Sequence, residues 1–67
     1  MPIIRVEMQE GRSPEMKERL IEALTSTVVE TLGVTPEQVR VLLFELPKNH
    51  WGIAGKSAAR RDEEKGL

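Results

Sequence analysis

Cysteine is absent from the 67-residue sequence, and His50 is its one histidine. Without cysteine the chain can form no disulfide, and a single histidine cannot supply the Cys and His ligands of a zinc site. Aromatic residues are equally scarce, since Trp51 and Phe44 are the only two. Proteins that bind single-stranded nucleic acids stack bases on several aromatic side chains, so this class is not expected. We expect neither a metal nor a cofactor.

The sequence also lacks an excess of one charge and a long apolar segment. Ten Lys and Arg residues balance eleven Asp and Glu residues, which gives a formal net charge of −1. A nearly neutral chain has no field that would attract nucleic acid or an acidic membrane. No apolar run reaches the ~18–20 residues of a membrane span, and the amino end has no secretory signal pattern. We therefore expect a cytoplasmic protein with no nucleic-acid or membrane partner.

The length of the chain suits one domain, residues 1–67, but falls short of what a stable core needs. Domains typically contain ~100–150 residues, and a lone core below ~70–80 residues rarely contributes more than ~3–5 kcal/mol. Disulfides and metals are already excluded, so association with other chains is the remaining source of stability.

Hydrophobic periodicity predicts a strand and a helix in the first half of the chain. Residues 2–9 alternate in polarity with a period of two, which is typical of a strand. Ser13 can cap free backbone N–H groups and Pro14 suits the first helical position, so a helix should begin near Pro14. Apolar residues then recur every fourth position up to Gly33, which should end a helix of about 19 residues.

The second half predicts a turn, a second strand and a hairpin. Thr35 and Gln38 have the spacing of a capping box, which predicts a single helical turn. Residues 39–46 carry apolar side chains on both faces, as expected of a strand covered on both sides. Residues 52–55 predict a tight turn or short hairpin. Residues 59–67 are expected to form a charged, loosely ordered tail.

These elements predict an α+β fold. A strand, a helix and a second strand make a β-α-β unit, whose crossover is right-handed in ~98% of cases and makes the strands parallel. One helix can shield only one face of a small sheet, so the other face is expected to meet another subunit.

Pro2 is the most informative residue for function. When the second residue is small, the initiator Met1 is normally removed, and Pro2 then carries a secondary amine at the start of a strand. An α-amino group has a reference pKa of about 7.7–8.0, so part of it can abstract a proton at neutral pH. The alternative is that a proline merely suits the start of an edge strand.

Two arginines could bind an acidic ligand beside such a base. Arg40 stands within an apolar run and needs a partner or a solvated groove, because an unpaired buried charge is unfavourable. Arg12 lies in a polar loop, where an arginine is often only solvated. A guanidinium fork fits carboxylate and enolate oxygens, so the pair favours a small acidic substrate.

Other candidate residues carry weaker predictions. Trp51 is either a core or interface anchor or the wall of an apolar pocket. His50 belongs to a residue type that often acts as an acid or base, but a histidine in a turn is more often exposed and idle. For three carboxylates the first interpretation is solvation or ion pairing: Glu7, Glu10 and Glu45.

Four segments together resemble the 4-oxalocrotonate tautomerase family. They are Pro2 after Met1, Glu10-Gly11-Arg12-Ser13, Val39-Arg40-Val41, and His50-Trp51-Gly52-Ile53-Ala54-Gly55. None is specific alone, but their order and spacing on a chain of this length are hard to obtain by chance. The resemblance spans residues 2–58 and covers most of the chain.

The resemblance implies a tautomerase (MIF-like) fold whose subunits pair into dimers, three of which form a hexamer. It implies a cofactor-independent keto-enol tautomerase that converts 2-hydroxymuconate-type dienols to 2-keto tautomers, with Pro2 as general base. Arg12 is implied to bind the distal carboxylate of the substrate. Arg40, from a neighbouring subunit, is implied to bind near the 2-hydroxyl or 2-keto group and its carboxylate. Trp51 is implied to shape the apolar pocket, with Ile53 as a weaker pocket candidate.

Departures from the family pattern leave the substrate open. Gln9 stands beside the site where a well-known member has an apolar residue, and Ala54 replaces a common glycine where a positive φ is favoured. One alternative is hydratase or dehalogenase-like activity on small unsaturated acids, which uses an additional carboxylate. Another is a structural subunit of a hetero-hexamer. A retained Met1 would block the Pro2 amine as an amide.

Overall fold

Two parallel strands and the helix that connects them form the largest part of the fold. The computed structural model describes residues 1–66 and contains β1 (Ile3–Gln9), α1 (Pro14–Leu32) and β2 (Arg40–Leu46). The strands pair in parallel, from Ile3 opposite Arg40 to Gln9 opposite Leu46. The predicted β-α-β unit is therefore confirmed. None of the helices in this part of the chain is both long enough and apolar enough to span a bilayer.

Both ends of α1 follow from the residues that flank it. The Ser13 hydroxyl accepts a hydrogen bond from the Met16 backbone N–H at 3.2 Å, and Pro14 occupies the first turn, where its missing N–H costs no bond. Gly33 adopts a left-handed φ of 67°, and its N–H donates to the Val29 carbonyl at 3.0 Å. The predicted start and end of the helix are confirmed.

A single turn of 3-10 helix, Pro36–Gln38, leads from α1 into β2 and confirms the predicted turn. The Gln38 side-chain oxygen accepts from the Thr35 N–H at 3.0 Å, which is one half of a capping box. Val39 closes this turn by donating its N–H to the Pro36 carbonyl at 3.2 Å. This bond explains why β2 begins at Arg40 and not, as predicted, at Val39.

The two faces of the sheet differ in exposure. On the inner face Met8 is buried, and Val39, just before β2, is buried as well. On the outer face Ile3, Leu42 and Phe44 remain 63%, 43% and 39% exposed. The second apolar face predicted for the sheet is thus present, and the chain itself leaves it uncovered.

The carboxyl-terminal segment begins with the predicted hairpin. Strands β3 (Gly52–Ile53) and β4 (Lys56–Ser57) pair antiparallel, with Gly52 opposite Ser57. The two residues between them have positive φ, 52° at Ala54 and 85° at Gly55. Such angles at both central positions match the twist of a two-residue hairpin.

The loosely ordered tail predicted for residues 59–67 requires correction. A second helix, α2, occupies Ala58–Glu64, while Leu67 lies outside the described residues. Ser57 caps this helix by accepting from the Arg60 N–H at 3.1 Å, and buried Ala58 anchors its start. The charged composition suggested a tail, but most of these side chains are good helix formers and several are paired.

Candidate active site

An open groove of about 750 Å³ lies where β1 ends. It is lined by residues 7–12, together with Met16, Lys48 and Trp51. Gly11 has a φ of 122°, a backbone conformation that side-chain-bearing residues rarely adopt, and it turns the chain from β1 toward α1. The groove therefore collects side chains from a strand end, a loop, a helix and the segment before the hairpin.

Arg12 stands in this groove with its side chain tied to the end of β1. One N–H of its guanidinium donates to the Gln9 carbonyl at 3.0 Å. A guanidinium carries five N–H donors in a planar fork, so the group can hold this bond and still present a pair of donors to a carboxylate.

Trp51 forms part of the wall of the groove. It follows a single turn of 3-10 helix, Lys48–His50, and is half-buried. Its N–H donates to the Lys48 carbonyl at 3.3 Å, and its own carbonyl accepts from the Ala58 N–H at 2.7 Å. The backbone on both sides of the indole is thus fixed, and the aromatic face lends the groove an apolar surface.

Pro2 and Arg40 lie together at the opposite end of the sheet. The Pro2 carbonyl accepts a hydrogen bond from the Arg40 backbone N–H at 3.0 Å, which extends the ladder by one residue. The Arg40 side chain is exposed, and its guanidinium donates to the carbonyls of Glu37 and Val39. Arg40 therefore meets the solvated surroundings that its position in an apolar run required.

The predicted site residues accordingly form two pairs. Strand β1 has seven residues and separates Pro2 from Arg12. A strand of this length spans about 20 Å, more than an arginine side chain can bridge. One chain thus brings Arg12 to Trp51 and Pro2 to Arg40, but it does not bring the pairs together.

The remaining candidate residues differ in whether they line the groove. Ile53 is 41% exposed in the hairpin and is not among the residues that line the groove. His50 is exposed and does not line it either. Glu7 and Glu10 do line it, whereas Glu45 pairs with Lys17 at 2.9 Å.

Lys48 is a groove residue that sequence reasoning missed. Its ammonium lies 2.6 Å from an Asp62 carboxylate oxygen on α2, and this hydrogen bond lowers the pKa of Asp62 below the ordinary value of 3.8. No sequence pattern marks Lys48, since its position depends on a 3-10 turn and on a helix that begins ten residues later.

The amino terminus bears on what Pro2 can do. Met1 is 77% exposed. While Met1 is attached, the Pro2 nitrogen is an amide and cannot accept a proton under ordinary conditions. Its removal would convert this nitrogen into a secondary amine on a residue whose carbonyl is hydrogen-bonded to the Arg40 backbone.

Comparison with known proteins identifies the family. A family model described as "Tautomerase enzyme" matches residues 2–61. The chain belongs to this tautomerase family, and it is an enzyme of the isomerase class. The family resemblance stated from the sequence is confirmed.

The chain is similar to three tautomerases along nearly its whole length. The 2-hydroxymuconate tautomerase of Comamonas testosteroni is 47% identical over 58 residues, which cover 87% of this chain and 92% of the relative. The crystal structure of a 4-oxalocrotonate tautomerase homologue from the tomaymycin biosynthetic pathway superposes with a TM-score of 0.89 at 47% identity, covering 92% of this chain and 95% of that one. A heterohexameric 4-oxalocrotonate tautomerase from Chloroflexus aurantiacus superposes with a TM-score of 0.84 at 37% identity, covering 88% and 95% of the two chains. The predicted fold is confirmed by these likenesses.

Proposed function

We propose that this tautomerase converts 2-hydroxymuconate-type dienols to their 2-keto tautomers. The observation that carries the proposal is the position of four residues at the two ends of one short sheet. Pro2 and Arg40 are joined through their backbones at one end, and Arg12 and Trp51 line the groove at the other. The two ends together supply a base, two cations and an apolar wall. A dienol with a carboxylate at each end needs all four.

The proposed chemistry is a proton transfer assisted by two cations. The Pro2 nitrogen, freed by loss of Met1, takes the proton from the dienol hydroxyl and delivers it to carbon. Arg40, contributed by a neighbouring copy of the chain, binds near this hydroxyl and its carboxylate and stabilises the negative charge of the dienolate. Arg12 binds the distal carboxylate, and the apolar face of Trp51 covers the carbon chain between them. The two cations also disfavour a protonated amine at Pro2.

Self-association is part of the proposal, because a site with all four residues needs a second copy of the chain. The described chain has a radius of gyration of 15.7 Å and is only 14 Å thick along its shortest axis. A compact domain of this length has a radius of gyration of about 11 Å. The exposed apolar outer face of the sheet offers a surface on which copies can pair, and we propose a homohexamer. A mixed assembly with another chain, as in the Chloroflexus relative, is the alternative. The cytoplasmic location expected from the sequence stays a prediction.

The amine is tested by comparing three proteins in the ketonisation of 2-hydroxymuconate. They are the processed protein that starts at Pro2, a form with one additional residue before Pro2, and the Pro2→Ala variant. The extended form keeps the proline ring but blocks its nitrogen, so its rate is expected to fall by about 10²–10⁴-fold, the usual contribution of a positioned base. Pro2→Ala keeps a primary amine and is expected to be slower than the processed protein. Equal rates in all three would rule out Pro2 as the base.

A second candidate function has one observation in its favour. Glu7 and Glu10 line the groove beside Arg12, where a carboxylate could direct water at a small unsaturated acid. Hydratase or dehalogenase-like activity would follow. This activity would also use Pro2, to assist the attack of water. We rank it second, because the match of the hairpin segment to the family favours a plain tautomerase. Faster turnover of 3-haloacrylates than of 2-hydroxymuconate, together with its loss in Glu10→Gln, would reverse this order.

A purely structural role in a hetero-hexamer is the third candidate. The chain retains Pro2, Arg12 and Arg40, which such a subunit would not need. Purification of the chain alone decides the matter. An active hexamer of a single chain type would exclude the structural role, and an inactive chain that gains activity only with a partner would support it.

A further inference from the structure

The helix α2 is attached to the groove at two points, one helical turn apart. Ala58, its first residue, is buried and donates its backbone N–H to the carbonyl of Trp51 at 2.7 Å. Asp62 lies four residues later and therefore on the same face of the helix. Its carboxylate accepts from the Lys48 ammonium at 2.6 Å. The helix thus holds both ends of the segment 48–51.

This segment carries two of the side chains that line the groove. Lys48 and Trp51 face the space that Arg12 borders from the other side. The other hydrogen bonds of the segment are local to its single 3-10 turn: the His50 N–H donates to the Pro47 carbonyl at 2.9 Å, and the Trp51 N–H donates to the Lys48 carbonyl at 3.3 Å. A 3-10 turn has poor hydrogen-bond geometry and does not by itself fix a side chain.

The charges in the groove show what Asp62 prevents. Glu10 lines the same groove, and so does Glu7, which already lies 3.7 Å from the Arg5 guanidinium. A lysine ammonium that had lost its partner would be attracted mainly to Glu10. A long side chain with a mobile cation would then occupy the space in front of Trp51. With Asp62 in place, the ammonium is held on the α2 side of the groove.

From these contacts we infer that α2 is a positioning element of the active site, in which Asp62 acts through Lys48 to set the wall that contains Trp51. The inference rests on the proposed function in one respect, namely that the groove binds the substrate. Asp62 is a positioning residue and takes no part in the proton transfer.

The test uses Asp62→Asn and a matched control on the same helix, Glu64→Gln. Glu64 pairs with Lys56 at 2.8 Å and with Arg60 at 3.5 Å, away from the groove. Both variants replace a carboxylate of α2 by an amide. Asp62→Asn removes one ion pair, and Glu64→Gln removes two. Asp62→Asn is expected to raise KM for 2-hydroxymuconate by about two- to fivefold, with kcat changed less than about twofold, since an exposed ion pair contributes modestly. Glu64→Gln is expected to leave both constants unchanged.

A double-mutant cycle tests whether Asp62 acts through Lys48. Lys48→Met keeps an unbranched side chain that is one heavy atom shorter, and it removes the charge. In that background Asp62→Asn is expected to have no further effect on KM, because the interaction it removes is already lost. A general loss of folding would instead lower the amount of active enzyme, and thus the apparent kcat, at constant KM.

Trp51 fluorescence provides a readout that needs no substrate. The sequence contains one tryptophan and no tyrosine, so its emission reports on this wall alone. Asp62→Asn is expected to increase quenching by acrylamide, and Glu64→Gln is not. If the wild-type protein does not ketonise 2-hydroxymuconate, the proposed function fails while the quenching still decides the role of α2. The inference is overturned if the two variants behave alike, or if the effect of Asp62→Asn persists beside Lys48→Met.

Discussion

Ala54 holds a backbone conformation that residues with a side chain normally avoid. Its φ of 52° is positive, and within residues 1–66 no other non-glycine residue has a positive φ. The hairpin requires such an angle at both central positions of its turn, and Gly55 satisfies the second one without strain. The sequence marked Ala54 as a departure from a common glycine, and the backbone explains why a glycine would fit there.

We expect Ala54→Gly to stabilise the protein by about 0.5–1 kcal/mol. The left-handed conformation costs a residue with a Cβ roughly 1–2 kcal/mol, and the greater freedom of glycine in the unfolded chain offsets about 0.4–1 kcal/mol of the gain. Urea denaturation at one fixed protein concentration measures the change, since an assembling protein is stabilised by its own concentration.

Ala23→Gly is the matched control for this change. Ala23 is exposed in the middle of α1, where glycine should destabilise by about 1 kcal/mol. The same chemical change should therefore act in opposite directions at the two positions. A loss of stability at Ala54 as large as the loss at Ala23 would contradict the strain argument.

The site residues illustrate which features a sequence can and cannot reveal. The identity of a residue limits the chemical role that it can play. The sequence therefore suggested a base, two cations and an apolar wall at Pro2, Arg12, Arg40 and Trp51. Their division into two distant pairs depends on the strand that separates them. Lys48 escaped attention because its position depends on contacts with Asp62, which no local pattern encodes. The catalytic roles of these residues stay predictions.

The two helices differ in how much of their stability is local. The longer one, α1, has a capping serine, a proline in its first turn, an apolar stripe and a closing glycine, and all of these can be read from neighbouring residues. The seven residues of α2 lack an apolar stripe. Two of its acidic side chains pair instead with Lys48 and Lys56, which precede the helix. A sequence pattern with a helical period could therefore predict α1 but not α2.

At low pH we expect α2 to lose one of its two attachments to the groove, the ion pair between Asp62 and Lys48. Because Lys48 lowers the pKa of Asp62 in the folded state below 3.8, the pairing contributes stability that is fully present above this ordinary value. The contribution is lost as the pH falls below 3.8 through the lower folded-state pKa, since protonation of the carboxyl removes its charge. Acrylamide quenching of Trp51 should therefore rise with acid in this range.

Asp62→Asn provides the reference for this acid titration. Its amide does not titrate, so the difference between wild type and variant isolates the carboxyl from the many glutamates of the chain. The two curves should converge at the lowest pH, where neither protein retains the ion pair. A constant difference across the range would show that Asp62 acts by something other than its charge.

The chain is too open to account for its own stability. Its accessible surface is 5139 Å², whereas a compact monomer of this mass exposes about 4300 Å². Within the described residues the buried apolar side chains are Met8, Val39 and Ala58. The guanidinium of Arg5 lies 4.3 Å from the centre of the Phe44 ring and covers only part of the outer face. A subunit of this shape leaves association with other chains as the source of its stability, as its short length predicts.

Mixed assemblies can test whether the active site spans two chains. Pro2→Ala and Arg12→Ala should each be much slower than the processed protein when assembled alone, because every site then lacks either the secondary amine of Pro2 or the cation for the distal carboxylate. When the two variants are unfolded together and refolded as a mixture, a site can take Pro2 from one chain and Arg12 from another. Random assembly restores about one quarter of the sites, since each of the two positions is intact half of the time.

Refolding Pro2→Ala with a chain that carries both substitutions is the control and should restore none. If Pro2 and Arg12 of the same chain served one site, both mixtures would remain inactive, and the roughly 20 Å that β1 places between these residues would have to be closed by a rearrangement of the strand itself.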